Sequence, residues 1–294
     1  MDNTVSERYK IDGFTIESIT NNSLYAGKYV RLESDKLQDT QKIIIDNQID
    51  YIEIGSRFTG TDLDFLKDFS FIKGIRFKTG LSGREFKLSN FEGLKFIKNL
   101  EFIHCCDNNP HFPTDLTVFN GLKKFSGYSK KKQIFNINIE RIDLENLKTE
   151  DLSIFSNLSN LKELHLSYSN LITLDGIQFC NKLEVLQLFT CNKITSLSCL
   201  ESLEKTLKIL FICRCRKLND YEALKHLTKI TDLHIADSGN LLSLDFVKKY
   251  DNLESAFIYV SVDDEDGTPL KNVKYVSIPK NSNLKNIVST VYCS

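Results

Sequence analysis

The sequence predicts an α/β solenoid, with a concave parallel β-sheet of short strands and 3₁₀ or short helical turns on the convex side. Three observations carry that expectation. One apolar frame recurs along most of the chain, it recurs at a nearly constant period, and within each copy the apolar spacing changes from two to three.

The frame is apolar at its first, fourth and sixth positions. It reads Leu161-x-x-Leu164-x-Leu166, Leu183-x-x-Leu186-x-Leu188, Leu207-x-x-Leu210-x-Ile212, Ile230-x-x-Leu233-x-Ile235, Leu253-x-x-Ala256-x-Ile258 and Val273-x-x-Val276-x-Ile278. Successive copies begin 20 to 24 residues apart. That falls within the period of about 20–29 residues of a leucine-rich repeat, whose units bury their apolar faces against their neighbours. The frame is also read upstream, less regularly, at Ile49/Ile52/Ile54, Ile72/Ile75/Phe77, Ile97/Leu100/Phe102, Leu122/Phe125 and Ile139/Ile142/Leu144.

Within the frame, apolar and variable residues alternate, as in a strand with one buried face. Stacked copies should pair these strands in parallel. The second half of each repeat steps in threes, as in Leu171, Leu174, Ile177, Cys180 and Leu183, or Leu241, Leu244, Val247, Tyr250 and Leu253. That spacing favours eclipsed 3₁₀ turns. Residues 46–281 therefore form the leucine-rich repeat arc, with about 11 repeats that are irregular before residue 150. The open ends of such a core need covering. Residues 1–45 are read as an N-terminal cap, with strand-like runs at Tyr29-Val30-Arg31-Leu32 and Ile43-Ile44-Ile45, and residues 282–294 as a C-terminal cap or tail.

Two polar columns accompany the frame. Asp64, Glu92, Thr117, Ser153, Asp175, Ser198, Glu222 and Asp245 open the convex segments. They are expected to cap them by accepting bonds from unpaired backbone N–H groups. Cys105, Ser169, Cys191, Cys215, Ser238, Ser261 and Asn281 follow the strands. There small polar or thiol side chains should serve buried backbone groups. The eight cysteines are expected to be reduced, in a cytoplasm.

The formal net charge of −1 gives no global attraction to nucleic acid, whose binding domains are usually strongly basic. No stretch approaches the roughly 20 apolar residues of a membrane span. The start, MDNTVSERYK, lacks the basic segment and apolar run of a signal peptide.

The repeat resembles the short leucine-rich repeats of the bacterial internalin type. The resemblance covers about residues 49 to 281 and is most specific from 152 to 258. It implies an arc that binds proteins with its concave sheet. Two departures limit it. Internalin-type repeats usually carry Asn in the post-strand column, where this chain has mostly Ser and Cys. They are also exported and surface-anchored, and this chain shows neither signal, so an adhesin role is not carried over.

One exposed column of the expected sheet runs through Glu53, Arg76, Glu101, Ser126, Asp143, His165, Gln187, Phe211, His234, Phe257 and Ser277. A parallel column includes Ile103, Phe189, Cys213 and Tyr259. The C-terminal half gathers Val185, Phe189, Ile209, Phe211, Phe257 and Tyr259, bordered by His165, Gln187 and His234. Exposed apolar patches of this kind mark interaction sites.

The expected function is capture of one protein partner there by a chain that is monomeric when free. No catalysis, cofactor, nucleic acid or membrane is expected. One version is a bacterial immunity protein that neutralises a toxin by covering it. Two other readings remain. One is a cysteine- or metal-dependent hydrolase using His104, Cys105 and Cys106, with His111 nearby, although the spacing matches no standard zinc pattern. The other is RNA binding through the basic segment from Lys123 to Lys132.

Overall fold

Alternating apolar residues become short strands in the computed structural model, which describes residues 5–20, 26–78, 87–105 and 108–287. The chain divides into two compact units: Met1–Tyr128 with Lys132–Arg141, and Ser129–Lys131 with Ile142–Ser294.

In the first unit β1 (Val5–Ile11) and β2 (Phe14–Thr20) form an antiparallel hairpin, and β2 pairs antiparallel with β3 (Gly27–Arg31). The parallel ladder begins at β3. It continues through β4 (Tyr51–Ile54), β5 (Gly74–Phe77), β6 (Phe102–Cys105) and β7 (Lys124–Tyr128). Of the two strand-like runs in residues 1–45, the first supplies β3, and Val30 and Leu32 are fully buried. The second, Ile43-Ile44-Ile45, instead lies in helix α1 (Leu37–Asp46). Thr40, Ile43 and Ile44 make one buried helical face, while Ile45 is 58% exposed. Spacing of three and four puts those three residues on one stripe.

One strand register differs from the sequence reading. Pairing sets Arg76 opposite His104 and Phe77 opposite Cys105. The frame of this repeat is thus Leu100, Ile103 and Cys105. Ile103 is buried in the core rather than exposed, and Glu101 precedes the strand. Cys105 is likewise a buried frame residue and not part of the post-strand column. The cause is Phe102, a large apolar residue on the outer face, which packs edge-on against Tyr51 at 6.2 Å.

In the second unit the strands run β8 (Arg141–Glu145), β9 (Glu163–Ser167), β10 (Val185–Phe189), β11 (Ile209–Cys213), β12 (Asp232–Ala236), β13 (Ser255–Tyr259) and β14 (Tyr275–Ser277). From β9 onward they pair in parallel without a register slip. Leu164, Leu166, Leu186, Leu188, Leu210, Ile212, Leu233 and Ile235 point into the core.

Each strand from β8 to β12 is followed by a residue at positive φ: Asn146, Tyr168, Thr190, Arg214 and Asp237 lie between 47° and 64°. A non-glycine residue there costs on the order of 1–3 kcal/mol. The turn offsets this by extending the ladder. Each of these N–H groups donates to the last carbonyl of the next strand, as Tyr168 does to Phe189 at 2.9 Å and Thr190 to Cys213 at 2.8 Å. One residue further on, Cys191, Cys215 and Ser238 of the post-strand column behave as the sequence predicts, whereas Ser261 and Asn281 are exposed. Cys191 Sγ reaches the Leu166 and Phe189 carbonyls at 3.8 Å. Cys215 Sγ reaches those of Leu188 and Cys213. Ser238 Oγ accepts from the Cys215 N–H and donates to the Ala236 carbonyl.

The other polar column is corrected. Asp64, Glu92, Thr117, Ser153, Asp175, Ser198, Glu222 and Asp245 donate their backbone N–H groups rather than accept. The acceptors stand two residues earlier: Asp62, Asn90, Asp115, Asp151, Thr173, Ser196, Asp220 and Ser243. These are Asx and Ser/Thr turns, in which a short polar side chain bonds the backbone two residues on.

Asp220 also ties two repeats together. It accepts from the Glu222 N–H at 3.0 Å and from the Ser196 hydroxyl at 2.6 Å. The Ser196 bond leads in holding its carboxyl below the usual range. Asp220→Ala is expected to lower stability by about 1 kcal/mol, and Asp220→Asn by less, as read from urea unfolding midpoints. Equal midpoints for Ala and wild type would rule this role out.

Candidate functional site

In-register pairing puts the second unit's outer face into straight rows. The middle row is His165, Gln187, Phe211, His234, Phe257 and Ser277. One neighbouring row is Ser167, Phe189, Cys213, Ala236 and Tyr259, and the other runs Glu163, Val185, Ile209, Asp232, Ser255 and Tyr275. All nine residues nominated from the sequence therefore share one face, and each is half-buried.

Strands about 4.8 Å apart bring rings at equivalent positions into contact. The His234 imidazole is sandwiched, with its centroid 4.2 Å from that of Phe211 and 5.4 Å from that of Phe257, at interplanar angles of 30° and 15°. Burial pushes its pKa down to about 4, so the ring is neutral at pH 7. Tyr259 shares a 2.7 Å hydrogen bond with the Ser277 hydroxyl. At the other end of the row, His165 Nδ1 lies 3.5 Å from Asp143 Oδ1 and its Nε2 3.9 Å from Glu163 Oε2.

The structure adds two residues the sequence reading missed. Tyr168 meets Phe189 edge-on at 5.6 Å, and the Arg214 guanidinium lies 5.5 Å from the same ring. Tyr168 is 51% exposed. Both occupy the positive-φ turn column, which swings them beside the sheet face. A tyrosine and an arginine at a position that suits Asn or Gly were the available signal.

The first unit's outer face is filled by its own side chains. The row Arg31, Glu53, Arg76, His104 and Ser126 carries an ionic layer. Arg76 Nη2 donates to Glu17 Oε2 and to Glu53 Oε2. Arg31 Nε donates to Glu53 Oε1 at 2.7 Å, and Arg8 Nε and Nη2 donate to Glu17 Oε1 at 3.1 and 3.0 Å. The Arg76 guanidinium lies 4.3 Å from the Tyr29 ring centroid. Glu53 is 2% and Arg76 6% exposed. Burial pulls the Glu17 carboxyl up, but the Ser6 hydroxyl and the Arg76 and Arg8 guanidiniums outweigh it and hold the pKa at about 2.

No family model and no curated protein matches the chain. Solved structures do. An internalin, InlF of Listeria monocytogenes, is similar over 88% of this chain and 92% of its own, with 13% identity and a TM-score of 0.53. A leucine-rich repeat protein of Leptospira interrogans is similar over 89% of this chain and 80% of its own, with 12% identity and a TM-score of 0.51. The fold is that of a leucine-rich repeat protein.

The leucine-rich repeat geometry bears directly on the other two readings. His104 and Cys105 are consecutive in β6, so their side chains leave opposite faces of the strand. His104 belongs to the outer row beside Arg76. Burial, with the Arg76 and Lys78 charges, pushes its pKa down to about 3. Cys105 is buried in the core. The two do not meet as base and nucleophile, and Cys106 lies outside the described residues. His111 is exposed and lines a separate cavity of about 390 Å³ with Asn90, Glu92 and Asp115. In the basic segment, Lys123 forms a 3.4 Å ion pair with Glu101, while Lys131 and Lys132 are exposed turn residues. Among the described residues no helix is long and apolar enough to cross a membrane.

Proposed function

We propose that this leucine-rich repeat chain is a non-catalytic binding protein that holds one protein partner on the outer sheet face of β9–β13. The observation that carries this is the half-buried row Phe211, His234 and Phe257, flanked by Val185, Phe189, Ile209 and Tyr259. Leucine-rich repeats are a protein-interaction fold, and this face is where the chain spends aromatic area on positions the core does not need. Tyr, Phe and Arg held rigidly at one place are the composition of an interface anchor. An interface of about 800 Å² per partner has room on these five strands. The chain is taken to be a monomer in a cytoplasm when free. Neutralising a toxin by covering its working surface is one role such capture would fill.

The test is the triple variant Phe211→Ala, Phe257→Ala, Tyr259→Ala. A protein captured from source cells by the wild type and identified by mass spectrometry is expected to bind the variant at least about 100-fold more weakly, since each anchor contributes roughly 2 kcal/mol. Circular dichroism should stay unchanged. Equal retention of that protein would reject the site. If the identified partner is toxic, addition of the chain in equimolar amount should abolish its activity, and the triple variant should not.

A further inference from the structure

We infer that the partner presents an acidic segment beside its apolar anchor, with carboxylates set against the turns that follow β10 and β11. The inference rests on the reading of the β9–β13 face as the binding site, and it adds the partner's chemistry. The argument is the placing of charge. Ser167, Phe189, Cys213, Ala236 and Tyr259 are the last residues of their strands, and the turns leave the sheet directly beyond them. Lys193 lies in the turn after β10, and Arg214, Arg216 and Lys217 lie in the turn after β11. All four are exposed. Across the four turns 168–170, 190–193, 214–217 and 237–240 the one carboxylate is Asp237. It lies 3.6 Å from Arg214 Nε, with both side chains more than half exposed. Such a pair contributes little and engages one of the five guanidinium donors. Lys193, Arg216 and Lys217 form no ion pair among the described residues.

The surrounding charges do not cancel this set. Asp220, next along the chain, accepts from the Ser196 hydroxyl and the Glu222 N–H. Glu145 ends β8, two strands from β10, which is about 10 Å. Arg141 and Asp143 lie further back along β8. Lys162, Glu163, Asp232 and the Lys208–Glu184 pair carry both signs. They sit at the other ends of the strands, about 13 Å away. The basic turns are continuous with the aromatic face. The Arg214 guanidinium lies 5.5 Å from the Phe189 ring centroid, and Tyr168 meets the same ring edge-on. Phe211 and Phe257 cover the two faces of the His234 ring, so a partner meets ring edges along the middle of the row. Ring edges are the positive part of the aromatic quadrupole, which suits carboxylate and carbonyl oxygens. Nucleobases stack on ring faces instead, so the arrangement favours a protein segment over RNA. Complementary charge steers encounter and excludes basic competitors more than it adds raw affinity. The anchor strength remains with the rings.

A random peptide library displayed on phage and selected on the full chain tests this, followed by titration of the selected peptides free in solution. The expected peptides carry Asp or Glu in excess over the library, together with Leu, Phe or Tyr. Their affinity should fall with added NaCl. The variant Lys193→Gln, Arg216→Gln, Lys217→Gln should keep the wild-type circular dichroism, bind these peptides about five- to tenfold more weakly and show a flatter salt dependence. Arg214 stays in place there, so the Phe189 ring keeps its neighbour. Phe211→Ala with Phe257→Ala should remove binding altogether, and single-stranded oligouridine should not displace the peptides. Peptides without acidic excess, or an unchanged salt slope in the basic-turn variant, overturn the inference while leaving the proposed face intact, provided the aromatic variant still abolishes binding. Displacement by the RNA that is lost in the basic-turn variant overturns it in favour of a nucleic acid. Peptides that bind the aromatic variant as well as wild type overturn the face itself. A selection that enriches nothing overturns both.

Discussion

Replacing Arg76 by Met is expected to destabilise the first unit by about 3–5 kcal/mol, because it leaves buried carboxylates without their shared cation. Arg76 bridges Glu17, on the antiparallel hairpin, to Glu53 in the parallel ladder. It therefore joins two parts of the unit that are far apart in sequence. Arg31 and Arg8 each reach only one of the two carboxylates. The pH dependence separates this from simple loss of packing. The folded-state pKa of Glu17 is held at about 2, below its ordinary value, so the wild type has this stability above about pH 4.5. It loses the contribution as pH falls toward 2. In Arg76→Met the same carboxylates are destabilised by their charge, so acidification from pH 7 toward 4 should restore stability. The slopes have opposite signs. Urea unfolding at pH 7, 4 and 3 reads both, the wild-type decline falling mainly below pH 4.5, and a parallel decline in the two proteins would refute the bridging role. Adding Glu17→Gln and Glu53→Gln to Arg76→Met should recover part of the loss, since neutral groups carry a smaller desolvation cost.

The same ionic and aromatic layer explains which parts of the fold were legible in the sequence. From β9 to β13 the outer positions are polar, aromatic or small except Val185 and Ile209, and the inner ones are uniformly aliphatic, so the L-x-x-L-x-L frame has a single register. Around β6 two registers fit equally well. Ile97, Leu100 and Phe102 match the frame, and so do Leu100, Ile103 and Cys105. The outer face there is itself buried, with Tyr29 stacked on Tyr51 at 5.0 Å and Phe102 beside them, which erases the contrast between faces that an alternation argument needs. The hairpin's contribution was not legible because its link to the ladder runs through Arg76, 59 positions from Glu17. The turn acceptors were misassigned by two residues because both columns are polar, and only hydrogen-bond direction distinguishes donor from acceptor. The aromatic row was legible because it lies where the frame is strict. Tyr168 and Arg214 were not, since only the positive-φ turn brings them beside Phe189.

Gly239→Ala is expected to cost about 3 kcal/mol, at the upper end of what overpacking does. Gly239 lies three residues past β12, where the chain folds back against the preceding repeat. A Cβ at this position would fall 1.6 Å from the Leu218 carbonyl oxygen and 2.8 Å from its carbon. Both are backbone atoms, so no rotamer change relieves the clash, and one repeat must move away from the next. Such movement also pulls on the Tyr221 hydroxyl, which donates to the Gly239 carbonyl at 2.8 Å. In a stacked array each repeat is stabilised by its neighbours, so amide protection should fall on both sides of the contact. Gly55→Ala is the matched control, because its nearest neighbour is the Lys78 carbonyl oxygen at 3.3 Å, and its cost should stay within about 1 kcal/mol. Equal thermal midpoints for the two variants would show that the repeats can separate there freely. The effect should also reach the face proposed to bind the partner. β12 carries His234 between Phe211 and Phe257, so a turn displaced at Gly239 shifts the middle ring of the row. Gly239→Ala should therefore weaken partner binding at a temperature where the variant is still folded, although Gly239 itself lies in the turn beyond the strand.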